Sequence, residues 1–398
     1  MQHGKKQASS PPQTLIGRRV DLFITELYVG GAEKCLADLA LFLKNHGADV
    51  RVLSLATLPS SPDDKLLQKI RDAKIEVHGL GADRVWNAGG AIIKLRKMLR
   101  DSPPHVLQSF LFHANMIASA ALVGLRLKPH RHSAQQIRWV AGVRVADPRQ
   151  QRLTLESLAF RRADRVVAVS EGARLAYQNY GSRNSDKWLV IPNGIESQSS
   201  DTEPISWSSL GLAPDAKVIL FVGRLDAQKG VTWLIETATD WLSKLPNHHL
   251  VLAGRGPLLA PLQQQKEALE SLQPTLKGKI HFVGWLDQPR RWMRQAEMLL
   301  LPAQYEGMPN VCLEAMAEGL PVVAFDVQGI RELLGEPAEG QVIPVQSRQF
   351  WADAIMSIAT DPTLRDTLGQ RNRRVIERDF QLAQQLERYV KLYCSLIH

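Results

Sequence analysis

Cysteine is scarce. Three residues, Cys35, Cys312 and Cys394, stand far apart in a chain of 398 and form no metal-ligand or disulfide spacing. A reducing compartment is the simplest inference. Long apolar runs are also missing; the longest, Met116 to Leu125, is too short to span a bilayer. The opening residues, MQHGKKQASSPPQ, carry no apolar segment, so residues 1–16 are expected to be a disordered tail and not a secretory leader. These absences predict a cytoplasmic protein. The dinucleotide fingerprint is absent too. The glycines after the first strand lack the Gly-x-Gly-x-x-Gly spacing, and the second strand ends in Ser54-Leu55-Ala56, with no acid for a ribose. A nicotinamide oxidoreductase is thereby disfavoured.

What is present is an ordinary globular composition in a chain too long for one compact core, which predicts two domains. Charge is unevenly spread. Residues 1–195 hold 29 Lys and Arg against 16 Asp and Glu, a net of +13; the remainder carries −4, giving +9 in all. Anionic lipid, nucleic acid or a phosphorylated substrate would suit such a basic half, and so would a merely solvated surface. A helix expected over 89–100 sets Lys94, Arg96, Lys97 and Arg100 beside Ile92, Ile93, Leu95, Met98 and Leu99, with Trp86 just before it. It either lies on an anionic bilayer or packs its apolar side inward and solvates its charges. The arginine-rich segment 126–152 reads as an acceptor-side loop or a surface hairpin.

Strand-like runs at 19–25, 49–55, 75–78, 106–112, 138–143, 165–169 and 187–191 alternate with helical runs at 31–45, 89–100, 114–125 and 149–162. Ser197 to Ser209, polar and broken by Pro204, reads as a linker. A second series follows. Its strands are expected at 218–222, 249–253, 280–283, 298–301, 322–325 and 341–345, and its helices at 231–245, 258–272, 289–295 and 310–318. Ser347 is a suitable N-cap for a helix to 359, and two more helices run to 379 and over 383–397. This order predicts an α/β protein with two Rossmann-like, doubly wound parallel sheets, over 17–196 and 197–380.

The most informative stretch is LPAQYEGMPNVCLEAMAEGLPVVAF, residues 301–325. A buried strand leads into a loop, then a helix beginning near Pro309 and ending at Gly319, then a second strand. Met308 has no side-chain oxygen to cap that helix, so the amides near Asn310 and Val311 are open to an anion. Glu306 in the loop and Glu314 in the helix are placed to accept hydrogen bonds from hydroxyls. An ordinary strand-loop-helix with surface glutamates remains the plainer reading.

Other strand ends point the same way. Val29-Gly30-Gly31-Ala32-Glu33-Lys34 puts paired glycines at a strand-to-helix turn, which suits either backbone approach to a ligand or tight packing. His113 follows a strand at the end that faces the crevice of a parallel sheet; it donates to a hydroxyl or phosphate, or simply starts a helix. In the second half the turn Gly223-Arg224-Leu225-Asp226-Ala227-Gln228-Lys229-Gly230 sets two cations around one loop, both able to reach a diphosphate. Gly254 and Gly284 end the next two strands.

At these motifs the chain resembles the retaining GT-B glycosyltransferases of the glycosyl transferases group 1 type, family 4. GGAEK, VSEG, VIPNGI, FVGRLDAQKG, LAGRGP, FVGW and EGMPNVCLEAMAEGLPVV occur in that order from about residue 18 onward. The resemblance implies two domains around a cleft, with the last helix, 381–398, rejoining the first domain. It implies that Arg224 and Lys229 bind the diphosphate of a nucleotide sugar, that Glu314 holds the ribose and that Glu306 orients the transferred sugar. Gly30 and Gly31 would approach the donor phosphates from the first domain; Gly223, Gly254, Gly284, Gly307, Met308, Pro309 and Asn310 would line the donor; His113 would contact the sugar. Two departures are Ala303, where many relatives have serine, and Asn115, where the second half of the histidine motif is missing.

The implied reaction moves a sugar, a hexose in the usual case, from a nucleoside diphosphate to an acceptor hydroxyl with retention, in polysaccharide or glycolipid synthesis. The leaving charge would be met by Arg224, Lys229 and helix-start amides. No cofactor or metal is expected, in keeping with the lack of any Asp-x-Asp sequence. The expected partners are the donor, a glycan or lipid-linked acceptor and an anionic membrane surface touched from the cytoplasmic side, with no nucleic acid. The rivals are a nucleotide-sugar epimerase of the same architecture and a non-catalytic binding protein on this fold.

Overall fold

A computed structural model describes residues 15–125, 136–145, 147–180, 185–197, 206–336 and 340–397. Residues 1–14 of the expected tail, most of the linker, and residues 126–135 and 146 of the arginine-rich segment lie outside the described residues. Leu15, assigned to the tail from sequence, is buried, so packing starts before the expected boundary.

The first sheet has seven parallel strands: β1 (Arg19–Ile24), β2 (Asp49–Ser54), β3 (Glu76–Gly79), β4 (Val106–Phe110), β5 (Arg138–Val143), β6 (Arg165–Ala168) and β7 (Trp188–Val190). Their order is β3-β2-β1-β4-β5-β6-β7. Between them run α1 (Gly31–Asn45), α2 (Lys65–Asp72), α3 (Ala88–Asp101), α4 (Phe112–Leu122), α5 (Gln150–Phe160) and α6 (Glu171–Leu175). Helix α2 was not expected; it is short and half charged, with only Leu66, Leu67 and Ile70 buried.

The second sheet has β8 (Lys217–Val222), β9 (His248–Ala253), β10 (Ile280–Gly284), β11 (Met298–Leu301), β12 (Val322–Phe325) and β13 (Val342–Ile343), in the order β10-β9-β8-β11-β12-β13. The helix expected over 231–245 is broken into α7 (Val231–Glu236), α8 (Ala238–Trp241) and a short 3₁₀ turn. At the break the Thr237 hydroxyl donates to the carbonyls of Trp233 and Leu234, competing with the helix ladder. Then come α9 (Leu259–Leu272), α10 (Pro289–Met293), α11 (Asn310–Ala317), α12 (Ile330–Leu334), α13 (Arg348–Thr360), α14 (Pro362–Asp379) and α15 (Leu382–Ile397). Helix α12, too short to show a period, was also missed.

The strand order reverses beside β1 in one sheet and beside β8 in the other. In open parallel sheets the crevice beyond the strand ends at such a reversal is where ligands bind. The loops leaving β1, β4, β8 and β11 therefore face the natural site, and they hold most of the residues singled out above.

The chain crosses between domains twice, at 193–197 and 379–385. Ile195 N–H donates to Phe380 O, and Leu382 N–H returns to Ile195 O. Gly194 lies so close that a Cβ there would sit 2.6 Å from Gln381 O, which leaves only glycine. Helix α15 then packs on the first domain, where Leu386, Tyr389, Leu392, Tyr393 and Cys394 share a core with Leu22, Ile24 and Val52. Tyr393 O–H donates to Gln108 Oε1 beneath the sheet, at 3.2 Å.

Candidate functional site

The second domain supplies one wall. Lys229, at the end of a turn started by Asp226, donates to Glu306 Oε1 at 2.5 Å. Glu306 is only 4% exposed, so this lysine neutralises a buried carboxylate. Burial and the nearby Glu306 charge push the Cys312 thiol well above its ordinary range. Arg224 differs: its side chain is 65% exposed and pairs with Asp226 at 2.5 Å on its own loop. It is the exposed cation of the pair; Lys229 is the buried-carboxylate partner.

The glycines of this wall serve mainly to let backbones touch. A Cβ on Gly254, whose φ is 147°, would lie 1.8 Å from Gly223 O. One on Gly230, at φ 66°, would lie 2.0 Å from Pro302 O, locking the cationic loop to the end of β11. Gly284 has a positive φ and open space around it. Ala303 is wholly buried.

Helix α11 begins after Pro309, the N-cap, with no side-chain cap and no acid in its first turn. From sequence Pro309 was expected just inside the helix; it stands one place earlier. The helix is held from behind, where Arg290 and Arg294 both reach Glu318 at 2.5 Å and Gly369 of α14 abuts the carbonyl of Gly319.

The first domain closes on this helix start. Asn310 donates to Gly31 O at 2.9 Å, and Asn193 donates to both Met308 O and Asn310 Oδ1. Lys34 of α1 donates to Glu314 Oε1 at 2.9 Å. Ser170 donates to Gly307 O at 2.7 Å, and Glu332 of α12 accepts from the amides of Glu171 and Gly172. Gly307, expected to line the donor, has its Cα against the first domain, where a Cβ would be 2.1 Å from Arg144 O. Gly329 is similarly pressed onto Gly307 O.

His113 is the second residue of α4 and is exposed, its ring edge-on to Phe112. Partial burial and then Arg152 and Arg149 hold its protonation below the ordinary histidine range. Arg149 and Arg152 also act on Tyr305, next to Glu306, which relates His113 to the crevice without bonding it there. Leu111, just before, has φ 72° and ψ 161°, a conformation that costs a side chain about 1–3 kcal/mol. Asn115 faces inward and bonds Glu156, Ser109 and Gly142, a structural role.

Sequence reasoning therefore placed Arg224, Lys229, Glu306, Glu314, Gly31 and Asn310 in one crevice. It assigned no role to Lys34, Arg144, Ser170 or Asn193. Three of these stand in motifs already quoted, GGAEK, VSEG and VIPNGI, but only the fold shows what they touch.

Two family descriptions match this chain: "Glycosyl transferase 4-like domain" over residues 30–194 and "Glycosyl transferases group 1" over residues 216–361. The lipopolysaccharide core biosynthesis glycosyltransferase LpsE of Rhizobium meliloti is 24% identical over 368 residues, 92% of this chain and 96% of its own. An uncharacterised glycosyltransferase of Methanocaldococcus jannaschii is 32% identical over 197 residues, 47% of this chain and 48% of its own, so that match spans about half of each. Among solved structures, HepE of Anabaena in complex with UDP-glucose superposes with a TM-score of 0.78 at 20% identity, covering 94% of this chain and 99% of that one. Sucrose-phosphate synthase of Thermosynechococcus elongatus gives 0.75 at 20% identity, covering 95% and 99%. The shared architecture of two parallel-sheet domains is the GT-B fold.

Proposed function

This chain belongs to the glycosyl transferases group 1 family, and from that premise we propose that it transfers a hexosyl group from a nucleoside-diphosphate sugar to an acceptor hydroxyl, with retention. The observation that carries the proposal is the meeting of two helix starts, one from each domain, at Gly31 and Asn310. Beside them stand Arg224, Lys229 and the carboxylates Glu306 and Glu314. Helix-start amides and cations suit a diphosphate, and carboxylates suit sugar and ribose hydroxyls.

Departure of the diphosphate is the difficult step. Arg224, exposed beside Asp226, and Lys229, already held at Glu306, would meet the developing charge together with the α11 amides, a contribution worth several kcal/mol in comparable sites. We assign that work to these groups without a metal. Glu306 would hold the sugar hydroxyls, and Glu314, with Lys34, the ribose. The acceptor hydroxyl would attack on the face the diphosphate leaves, passing its proton to the departing phosphate.

UDP-glucose is the first donor to test, because HepE is a structural neighbour solved with it. LpsE and a galactosyltransferase of Escherichia coli acting on a diphosphoundecaprenol-linked sugar support a glycan or lipid-linked acceptor. A thermal-shift series with UDP-, GDP-, ADP- and dTDP-sugars is the direct test. One should raise the melting temperature, and Arg224→Ala should lose most of that rise. Stabilisation by none of the four would sink the donor assignment. Product formed without any acceptor would favour the epimerase.

Among the described residues no helix is long and apolar enough to cross a membrane. Contact with an anionic surface from the cytoplasmic side would use α3 and the turn before it, where Trp86 is 75% exposed under Arg84, while Ile93 of α3 also faces out. The basic run is less free than its sequence implies, since Lys94 donates to Leu80 O and Arg96 to Ala120 O and Ala121 O. Vesicle co-sedimentation at low and high salt tests this contact. Binding that ignores anionic lipid would refute it.

A further inference from the structure

Glu33 is the third residue of α1 and is 7% exposed. Its carboxylate does not reach for solvent. It folds back over Gly30 so closely that a Cβ there would meet Oε2 at 2.3 Å, and it accepts its own backbone N–H. It thus sits at the helix start, where amides are offered to an anion. The space that glycine leaves at position 30 is filled by a carboxylate of the chain itself.

A second observation comes from β5. Arg144 follows that strand and is also 7% exposed. Its guanidinium lies against the first turn of α1, interacting with Cys35 and Glu33, and against Tyr389 of α15. Its Nη1 is buried with no hydrogen-bond partner. A buried cationic donor left unsatisfied is rare and calls for an acceptor.

We propose that Glu33 and Arg144 form a further phosphate subsite on the first-domain side of the crevice, Glu33 as a neutral acid donating its O–H to a phosphate oxygen of the donor and Arg144 Nη1 supplying a second hydrogen bond. This rests on the nucleotide-sugar reading above. The empty site holds Glu33 in its two protonation states; the filled site holds it protonated. The proton comes from solvent, and no other bond changes.

The surroundings favour this behaviour. Burial, and then Glu26 in the loop before α1, push the Glu33 carboxyl up to about 7, while Arg144 and Arg224 oppose the rise. Lys34, next along α1, is held by Glu314. A diphosphate beside Glu33 adds negative charge, which raises its proton affinity further. Nucleotide binding should therefore take up a proton near neutral pH and weaken as pH rises.

The test is calorimetric titration of the full chain with UDP, in Tris and in HEPES, at about pH 8, one unit above the free-site value. Wild-type heats should differ between the buffers by an amount equivalent to nearly one proton bound per UDP. Glu33→Gln, which keeps a donor without titrating, should show no such difference and should bind UDP about tenfold more tightly at that pH, the gap closing near pH 6. Equal wild-type heats in both buffers, or the same pH dependence in Glu33→Gln, overturn the subsite and leave the donor reading intact. Binding of none of UDP, GDP, ADP and dTDP by either protein overturns both. The wild-type comparison needs no variant, so the buffer difference still decides the matter if Glu33→Gln misfolds.

Discussion

The two helix starts that meet at the crevice are built differently. Helix α11 begins at Pro309 with no side-chain cap and no acid in its first turn, while α1 begins at Gly30 with Glu33 folded over it. One start has no carboxylate of its own chain over it; the other is covered by one. The cations follow the same division, Arg224 lying exposed beside the α11 half and Arg144 buried behind the α1 half. An anion site can thus have a half that is always available and a half that depends on protonation.

The strongest way to break this contrast is on the open side. Lys229→Ala should lower kcat/KM by on the order of 10²–10³-fold, because it removes a cation from the developing phosphate charge. It should also lower the melting temperature, since Glu306 is left buried and unpaired. Adding Glu306→Gln should restore the melting temperature but not turnover. Near-normal turnover in a folded Lys229→Ala protein would remove the open half from the mechanism.

On the closed side the expected effect is on stability and has a definite sign. Burial pushes the Glu33 carboxyl up to about 7 against an ordinary 4.5, a difference on the order of 3–4 kcal/mol. Below the ordinary value both states are protonated and Glu33 costs nothing. As pH rises from about 4.5 to 7 the unfolded chain ionises first, so the folded state loses stability, and the loss is complete above about 7. Glu33→Gln should therefore melt higher than wild type at alkaline pH and equally at acid pH. A constant difference across that range would show that Glu33 is an ordinary cap.

A smaller effect sharpens the seam between the halves. Glu314→Gln should weaken UDP binding, whereas Glu306→Gln should depress turnover more than UDP affinity. Lys34 is half exposed, so its pairing with Glu314 should give a coupling of only about 1 kcal/mol or less in a double-mutant cycle of UDP affinity. Equal losses of UDP affinity in both glutamine variants would mean that the ribose and sugar roles are wrongly divided.

Much of the fold was readable because its signals are local. Apolar runs bounded by glycine and proline mark β8 and β11 to within a residue, and α1 agrees at both ends. What failed was short or in local competition: α2 and α12 have too few turns to show a period, and Thr237 breaks a helix through hydroxyl bonds that composition does not reveal. In the site, the carboxylates of the second domain were readable because they share one loop-helix unit, and the cations because they share the single turn after β8. Their first-domain partners were not, since Lys34 and Glu314 lie 280 residues apart.

By itself the sequence determined the alternation of strands and helices, the parallel sheets that follow from it, and the strand ends that would face a ligand. Periodicity and turn chemistry act over a few residues and can be read there. Only the tertiary structure decided which groups oppose one another. It set Gly307 against the first domain, pressed Gly194 onto Gln381 and brought Arg144 behind Glu33. These are contacts between backbones and buried charges from distant segments, and their energies exist only when burial has removed the water between them.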